Sequence, residues 1–250
     1  MGGLELLKEP RWNPLSRFGL THSFFNIDYM TVIHTWVVLI AILLILIPIY
    51  IILKRKPGLV HFIITSFVNY FVKLSNQSLG RFIFKHFAFV TSLFIFILMC
   101  NLISLIPWLE EPTKNINTTL SFGLASFFYI QYYSIRAHGG WEYIKEYFRP
   151  IPVMLPLNVV GKIANVLSIS FRLFGNIFGG VIIGQIWLSA IGGSIIFETV
   201  GIVTGINLTI LGFFGLFEGL LQAFVFMMLT VTYLSIELQS EQPQEPGEAA

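Results

Sequence analysis

Hydrophobic residues form long uninterrupted blocks along this chain, and short polar or proline-containing stretches separate them. The first block covers about 31–53 and ends at a basic cluster. Two more blocks follow at about 87–106 and 119–135. Each is long enough for a helix that crosses a hydrocarbon layer of about 30 Å. The pattern therefore predicts three membrane-spanning helices in the first part of the chain.

The last two hydrophobic blocks are too long for ordinary membrane spans. They cover about 157–188 and 199–238, and neither contains a proline. As continuous helices they would measure about 48 and 60 Å, well beyond the thickness of a bilayer. Membrane helices tilt by about 20° on average. We therefore expect a steeply tilted hairpin, joined at Gly192 and Gly193, that packs against another surface.

Two further segments, about 58–85 and 141–150, mix aromatic or aliphatic residues with charges, which is typical of helices lying at the membrane surface. The predicted fold is an all-α integral membrane protein with about five transmembrane helices in a membrane domain over 31–238. Residues 1–30 form an external tail in this prediction, and the polar residues 239–250 form a disordered tail.

Composition agrees with a chain surrounded by membrane lipid. Hydrophobic residues make up 55% and charged residues 11%, whereas an average soluble domain has about 25% charged residues. This excludes a soluble enzyme and a disordered chain, and we expect no nucleic-acid partner. The sequence has no phosphate-binding loop, dinucleotide motif or metal-spaced Cys/His cluster. We therefore expect no catalytic site, no cofactor and no metal in this chain.

The distribution of basic residues predicts the orientation. Six of the 15 Lys and Arg residues lie between 54 and 85, without an acidic residue among them. Four more lie between the end of the third block and the second turn of the long fourth helix: Arg136, Lys145, Arg149 and Lys162. Cytoplasmic loops are rich in Lys and Arg. The N-terminus is therefore predicted outside and the C-terminus in the cytoplasm.

Arg172 lies near the middle of the predicted fourth helix. A guanidinium at this depth costs at least about 2.5–3.5 kcal/mol, and such groups face water-filled cavities or opposite charges. Two interpretations follow: a structural ion pair with Glu218, or a charge that serves ion transport.

Helical spacing places small and polar residues on the face that carries Arg172. They are Gly161, Asn165, Ser168, Gly175, Asn176 and Gly179. Small residues allow another helix to approach closely in lipid. The glycines therefore indicate either close packing within this chain or a surface that fits a moving partner.

A second polar stripe, Asn207, Gly215, Glu218 and Gln222, follows one side of the last predicted helix. A carboxyl group in an apolar helix suits proton exchange. We expect Glu218 and Gln222 to belong to an ion path, together with Asn165, Ser168, Asn176 and Asn207. Glu198 lies near the outer end of the hairpin, where the mouth of an aqueous path and simple solvation are both open interpretations.

Four stretches of the sequence resemble subunit a of the membrane (Fo) sector of F-type ATP synthases. They are FRLFGN (171–176), LQAFVFMMLTVTYL (221–234), NLISLIP (101–107) and PTKNINTTLSFGL (112–124). The segment PLN (156–158) adds to the match, and the resemblance covers about 25–238. The essential arginine of the family corresponds to Arg172, its asparagine to Asn176 and its glutamine to Gln222.

The resemblance implies a stator subunit whose tilted hairpin faces a rotating ring of c subunits. Ions would enter one aqueous half-channel, travel on the ring and leave by a second half-channel, with Arg172 between the two. Ion flow would then be coupled to ATP synthesis or hydrolysis elsewhere in the complex. The implied partners are the c ring, the b-type peripheral stalk subunits and the rest of the ATP synthase. A bacterial inner membrane is expected, with an organellar inner membrane as the alternative.

The sequence departs from the family pattern at the ion relay. Val181 and Gly215 stand where relatives often have Glu or His, and Glu218, one turn beyond Gly215, is a possible replacement. The ion is expected to be a proton, with sodium as the alternative. A stand-alone transporter or channel and a structural scaffold are the other functions considered.

Overall fold

The computed structural model describes residues 11–12, 27–54, 58–106, 109–148, 151–191 and 212–239 of the chain. These residues form seven α-helices: α1 (Tyr29–Leu53), α2 (Leu59–Leu79), α3 (Phe84–Leu102), α4 (Ile116–His138), α5 (Gly140–Glu146), α6 (Met154–Ile191) and α7 (Gly219–Gln239). Short 3-10 turns cover Ile103–Leu105 and Pro112–Lys114, and a π-helical segment covers Gly212–Glu218. The all-α prediction is confirmed.

A small β-pairing lies ahead of the helices. Arg11–Trp12 and Ile27–Asp28 pair antiparallel as two-residue strands. The sequence analysis treated this region only as a tail and did not predict the pairing. It brings the start of α1 next to an earlier part of the chain.

Four described helical stretches are long and apolar enough to cross a membrane. They are Tyr29–Leu53, Phe84–Leu105, Met154–Trp187 and Gly215–Leu238. The predicted span at 119–135 corresponds to α4, which is not among them. The buried side of α4 carries Thr119, Gly123, Ser126 and Ser134 beside a single isoleucine, so its overall hydropathy is low. The chain is a multi-pass membrane protein, and a fifth crossing by α4 stays a prediction.

Local sequence explains where several helices begin and end. The Asp28 side chain caps α1 by accepting a hydrogen bond from the Met30 amide at 3.1 Å. Asn115 caps α4 in the same way, from the Asn117 amide at 3.0 Å. Helix α2 ends at Gly80, whose φ of +67° is the left-handed conformation that glycine adopts without strain. The helix α2 is therefore shorter than the predicted surface segment 58–85. The last two residues of that segment already belong to α3, which begins at Phe84.

The predicted long helix is present and longer than expected. Helix α6 runs without interruption for 38 residues, whereas the prediction was 157–188. Helix α5 occupies most of the predicted surface segment 141–150. The predicted hairpin turn at Gly192 and Gly193 lies outside the described residues, as does the beginning of the predicted last helix. The described part of that last helix starts as a π-helix at Gly212.

The hydrophobic core forms where α7 contacts α2, α3 and α6. Its central side chains are Phe94 and Ile97 from α3, Leu173 from α6, and Phe226 and Met227 from α7. Phe71 of α2 packs on Phe94, with ring centroids 4.9 Å apart. This core holds the middle of α6 next to α7 and so positions the residues around Arg172.

Candidate functional site

Helix α6 has one face in the core and one face open to the surroundings. The buried face carries Val166, Ile169, Ser170 and Leu173, which recur every three or four residues as a single helical face requires. The opposite face carries exposed small and polar residues, Gly161, Asn165, Ser168, Arg172 and Gly175. Five of the seven residues grouped by spacing in the sequence therefore share one exposed face, which we call the polar stripe, whereas Asn176 and Gly179 are half-buried.

Three glycines of this helix lie away from every other helix that the structure describes. A Cβ atom added at Gly161, Gly175 or Gly179 would meet no described atom within 4 Å. Gly123 on α4 is different, since an added Cβ would collide with the Ser170 side chain and lie 3.2 Å from the carbonyl oxygen of Val166. Close helix packing within the chain thus depends on Gly123, which the sequence analysis did not single out.

Arg172 is exposed on the polar stripe. Among the residues that the structure describes, none forms an ion pair or a hydrogen bond with its guanidinium. The structural pair with Glu218 is therefore not seen. A guanidinium within a membrane-spanning helix needs water or an opposite charge. The arrangement leaves Arg172 available to a group that lies outside the described residues.

One turn beyond Arg172, α6 and α7 are joined by a hydrogen bond between side chains. Asn176 Nδ2 donates to Gln222 Oε1 at 2.7 Å. Gln222 is only 5% exposed, so its amide lies inside the chain and not on the polar stripe. The bond holds two of the predicted site residues together and links the helix of Arg172 to the central helix of the core.

Glu218 ends the π-helical segment that precedes α7. Its Oε2 atom is inaccessible to solvent and has no hydrogen-bond partner among the described residues. A buried acceptor without a donor carries a penalty of about 1–3 kcal/mol, and more when it is charged. Short π-helical turns are frequent at functional sites. Glu218 therefore combines unusual backbone geometry with an unsatisfied side-chain oxygen.

The π-helical segment is held against the end of α3. Asn101 Nδ2 donates to the carbonyl oxygen of Gly219 at 3.0 Å, and the Thr113 hydroxyl donates to Asn101 Oδ1 at 3.0 Å. A Cβ at Gly215 would lie 2.9 Å from Cδ2 of Leu105. A larger residue at Gly215, where the sequence analysis noted the missing Glu or His, would therefore require the Leu105 side chain, in the 3-10 turn after α3, to move.

A loop carboxylate lies near the same end of α3. Burial raises the pKa of Glu111 above its ordinary value of 4.5, while a hydrogen bond from Ser104 and the charge of Lys114 oppose this shift. The net effect is a raised pKa. Glu111 is thus a perturbed acid outside the spanning helices that the sequence analysis did not select.

At the other end of α6, an ion pair joins α6 to α7. Lys162 Nζ lies 2.9 Å from Oε1 and 3.0 Å from Oε2 of Glu237. The ammonium group also lies over the rings of Tyr147 and Tyr143, 4.4 and 5.1 Å from their centroids. The sequence analysis counted Lys162 toward orientation and did not consider Glu237. A separation of 75 residues gave no local signal for the pair.

The remaining predicted residues are not brought into this group. Glu198 and Asn207 lie outside the described residues. Val181 is exposed on α6, nine residues beyond Arg172. Ser168 and Asn165 stay on the exposed polar stripe, and in the described part of the chain neither forms a hydrogen bond with Gln222 or Glu218.

Comparison of the sequence with known protein families gives a match over most of the chain. The profile of the ATP synthase A chain family matches residues 32–235, which include both α6 and α7. The chain belongs to the ATP synthase A chain family. It is thus a component of the Fo membrane sector, the ion-translocating part of that enzyme.

Bacterial relatives of known name share about a third of their residues with the chain. ATP synthase subunit a of Moorella thermoacetica is 31% identical over 210 residues, which are 83% of this chain and 89% of that protein. ATP synthase subunit a of Legionella pneumophila is 34% identical over 163 residues, 65% of this chain and 66% of the relative. A third relative, from Propionigenium modestum, is named ATP synthase subunit a, sodium ion specific. It is 31% identical over 221 residues, 82% of this chain and 72% of its own length.

Proposed function

We propose that this chain forms two aqueous half-channels against a rotating c ring and couples proton flow to ATP synthesis or hydrolysis. Arg172 is the charge between the two half-channels. It stabilises an ionised carboxylate on the ring as that carboxylate passes, and its charge blocks direct leakage of cations. Arginine suits this role because it does not lose its proton in proteins.

The observation that carries the proposal is the exposure of Arg172 on the polar stripe without a partner among the described residues. A surface of this kind would be unfavourable against lipid, since the guanidinium would have no counter-charge. The open space around Gly161, Gly175 and Gly179 supports close approach of another helix from outside the chain. The c ring, which carries acidic groups at mid-membrane depth in this family, fits both the charge and the shape.

The ion path in this proposal uses Glu218, Gln222, Asn176, Asn165 and Ser168, with Glu198 and Asn207 near the outer end. Gly215 has no side chain that could relay the ion, and Glu218, one turn further along the helix, takes this role. The b-type stalk subunits hold the chain in the assembled complex. The chain lies in a bacterial inner membrane with its N-terminus outside and its C-terminus in the cytoplasm, and an organellar inner membrane is the alternative.

A sodium-translocating form of the same subunit is the second candidate. The relative from Propionigenium modestum, whose name states that it is sodium ion specific, favours it. Both candidates use Arg172 in the same way, so they differ in the ion and not in the mechanism.

The proposal is tested on membrane vesicles that contain the assembled complex. Arg172→Ala is compared with wild type and with Arg136→Ala, which removes an exposed arginine that lies over the Tyr132 ring, away from the stripe. We measure ATP-driven acidification and, after removal of the soluble head, passive proton permeability, with and without sodium. We expect Arg172→Ala to abolish coupled transport and Arg136→Ala to keep it.

Pumping by Arg172→Ala at the wild-type rate would refute the proposal. Transport by wild type that requires sodium and does not acidify the vesicles would favour the sodium form. Transport by the purified chain alone, without the c ring, would favour a stand-alone transporter.

A further inference from the structure

A small cavity, whose mainly apolar lining includes several polar groups, lies between α4, α6 and α7, on the side of Arg172 that leads to the Lys162–Glu237 ion pair. Its volume is about 40 Å³. Its polar lining residues are Ser126, Gln131, Lys162, Asn165, Thr230 and Glu237. A buried water needs about 10–15 Å³ of such volume and two to four polar partners, so the cavity has room for about three or four waters.

A buried hydroxyl group in this cavity lacks a partner. Ser126 is 2% exposed, and its Oγ has no hydrogen-bond partner among the described residues. Buried polar groups in proteins are almost always hydrogen-bonded, either to protein or to ordered water. The unsatisfied hydroxyl therefore indicates that water occupies the cavity.

The cavity connects the polar stripe to the ion pair. Asn165 belongs to both the exposed stripe and the cavity wall. Ile169, which also lines the cavity, is three residues from Arg172, or about 4.5 Å along the helix axis. Lys162 and Glu237 close the other end, and their side chains are 22% and 16% exposed. The cavity thus extends from the level just below Arg172 to a largely buried pair of charges.

A contribution to folding stability does not explain why the Lys162–Glu237 ion pair is largely buried. Removing two charges from water offsets most of their attraction, so buried pairs can often be replaced by apolar residues without loss of stability. The surroundings of Glu237 are nevertheless built for a charge. Lys162 contacts both of its oxygens, and Ser134 donates to Oε2 at 3.4 Å.

We infer that Glu237 is a proton-exchanging group at the cytoplasmic end of the path and that Lys162 is its positioning counter-charge. The inference rests on the proposed function and on the orientation given there. A hydronium ion in the cavity transfers its proton to the Glu237 carboxylate, which leaves a water molecule and a neutral carboxylic acid. The acid then releases the proton to water on the cytoplasmic side, and the ion pair with Lys162 forms again. In the synthesis direction the proton leaves by this route, and in the hydrolysis direction it enters.

Other titratable groups surround the pair on every packed element. Tyr143 and Tyr147 face Lys162, and Tyr233 lines the cavity from α7. His138 contacts the carbonyl oxygen of Ser134 at 3.2 Å, and Ser134 in turn contacts Glu237, so one residue separates His138 from the ion pair. The carboxylate of Glu237 is the acidic group in the described lining of this cavity.

The test uses vesicles with the assembled complex in sodium-free buffer. Glu237→Gln keeps the shape of the side chain but cannot bind and release a proton. We expect passive proton flow after removal of the soluble head to fall by about 10²-fold, as is typical when a group that transfers protons is lost. We also expect the pH dependence of the flow to change, and Glu237→Asp to restore most of the flow. The matched control is Glu142→Gln, because Glu142 forms an exposed pair with Lys145 at 3.4 Å.

Proton flow in Glu237→Gln at the wild-type level, with the wild-type pH profile, would overturn the inference. If that variant does not assemble, the double variant Lys162→Gln/Glu237→Gln leaves no unpaired charge, and wild-type flow in it would overturn the inference equally. Proton flow in wild type that requires sodium would also overturn it. Loss of coupling in Arg172→Ala with normal flow in Glu237→Gln would refute only this inference, whereas normal coupling in Arg172→Ala would refute the proposed function.

Discussion

Two glycines that look alike in the sequence should respond in opposite ways to the same substitution. Gly123 faces α6, and an added methyl group would collide with Ser170 and lie 3.2 Å from the carbonyl oxygen of Val166. Gly175 lies on the polar stripe, where no described atom is within 4 Å of the added group. We therefore compare Gly123→Ala with Gly175→Ala and Gly175→Leu.

The expected sizes follow from these contacts. Alanine improves helix propensity over glycine by up to about 1 kcal/mol. Forcing an extra methyl group into a packed interface costs about 1–3 kcal/mol. Gly123→Ala should therefore lower the free energy of unfolding by about 1 kcal/mol, whereas Gly175→Ala should leave it unchanged or raise it slightly. For a chain of this length, 1 kcal/mol corresponds to a shift of about 2–4 °C in Tm.

The assay has two parts because the two positions face different surroundings. Thermal unfolding of the purified chain in detergent measures packing within the chain, and ATP-driven acidification of vesicles measures function in the complex. Gly175→Leu should have a normal Tm but reduced pumping, since its side chain would occupy the space into which a ring helix fits. Normal pumping in Gly175→Leu, or an unchanged Tm in Gly123→Ala, would refute this account of the two faces.

Two further predictions concern hydrogen bonding and pH. Gln222→Leu should reduce the free energy of unfolding by about 1–3 kcal/mol because it leaves the Asn176 amide unpaired; in a double-mutant cycle, adding Asn176→Leu should cost less than it does alone, and strictly additive losses would contradict the bond. Glu111→Gln should raise Tm at pH 7.5, because the raised pKa of Glu111 means that its charged form is disfavoured in the folded state. The gain should shrink as the pH falls through the raised pKa and should vanish below the ordinary pKa of 4.5, because the glutamate then becomes protonated in both states. A gain that is independent of pH would refute the effect of burial.

Much of the fold is predictable because it follows from local composition. The apolar run of α1 and the long proline-free stretch of α6 after Pro156 predict both helices, and the buried positions of α6 have regular spacing. Helical spacing also places the five exposed residues of the polar stripe on one face, since spacing alone decides which residues share a face. Helix α4 is harder, because its polar side is the buried one and its hydropathy is therefore low.

The features that sequence does not reveal depend on contacts between distant segments. The π-helical segment lies where Asn101 bonds to the Gly219 carbonyl, and these residues are 118 positions apart. The Lys162–Glu237 pair spans 75 positions and involves two unremarkable surface residue types. Among glycines, only the structure separates Gly123, which packs against a neighbouring helix, from those that face open space. Pattern identifies which residues share a helix face, but not what that face meets.

Arg172 and Leu173 are adjacent, yet the first is exposed and the second is 0% exposed in the core with Phe94 and Met227. The exposed face of α6 is therefore joined directly to the hydrophobic core. A lateral force that a neighbouring protein exerts on this face would act on the core itself and not on a flexible loop. A close-packed interior has low compressibility and transmits strain. Under such a load, α6 would hold Arg172 at a constant position while the neighbour moves past it.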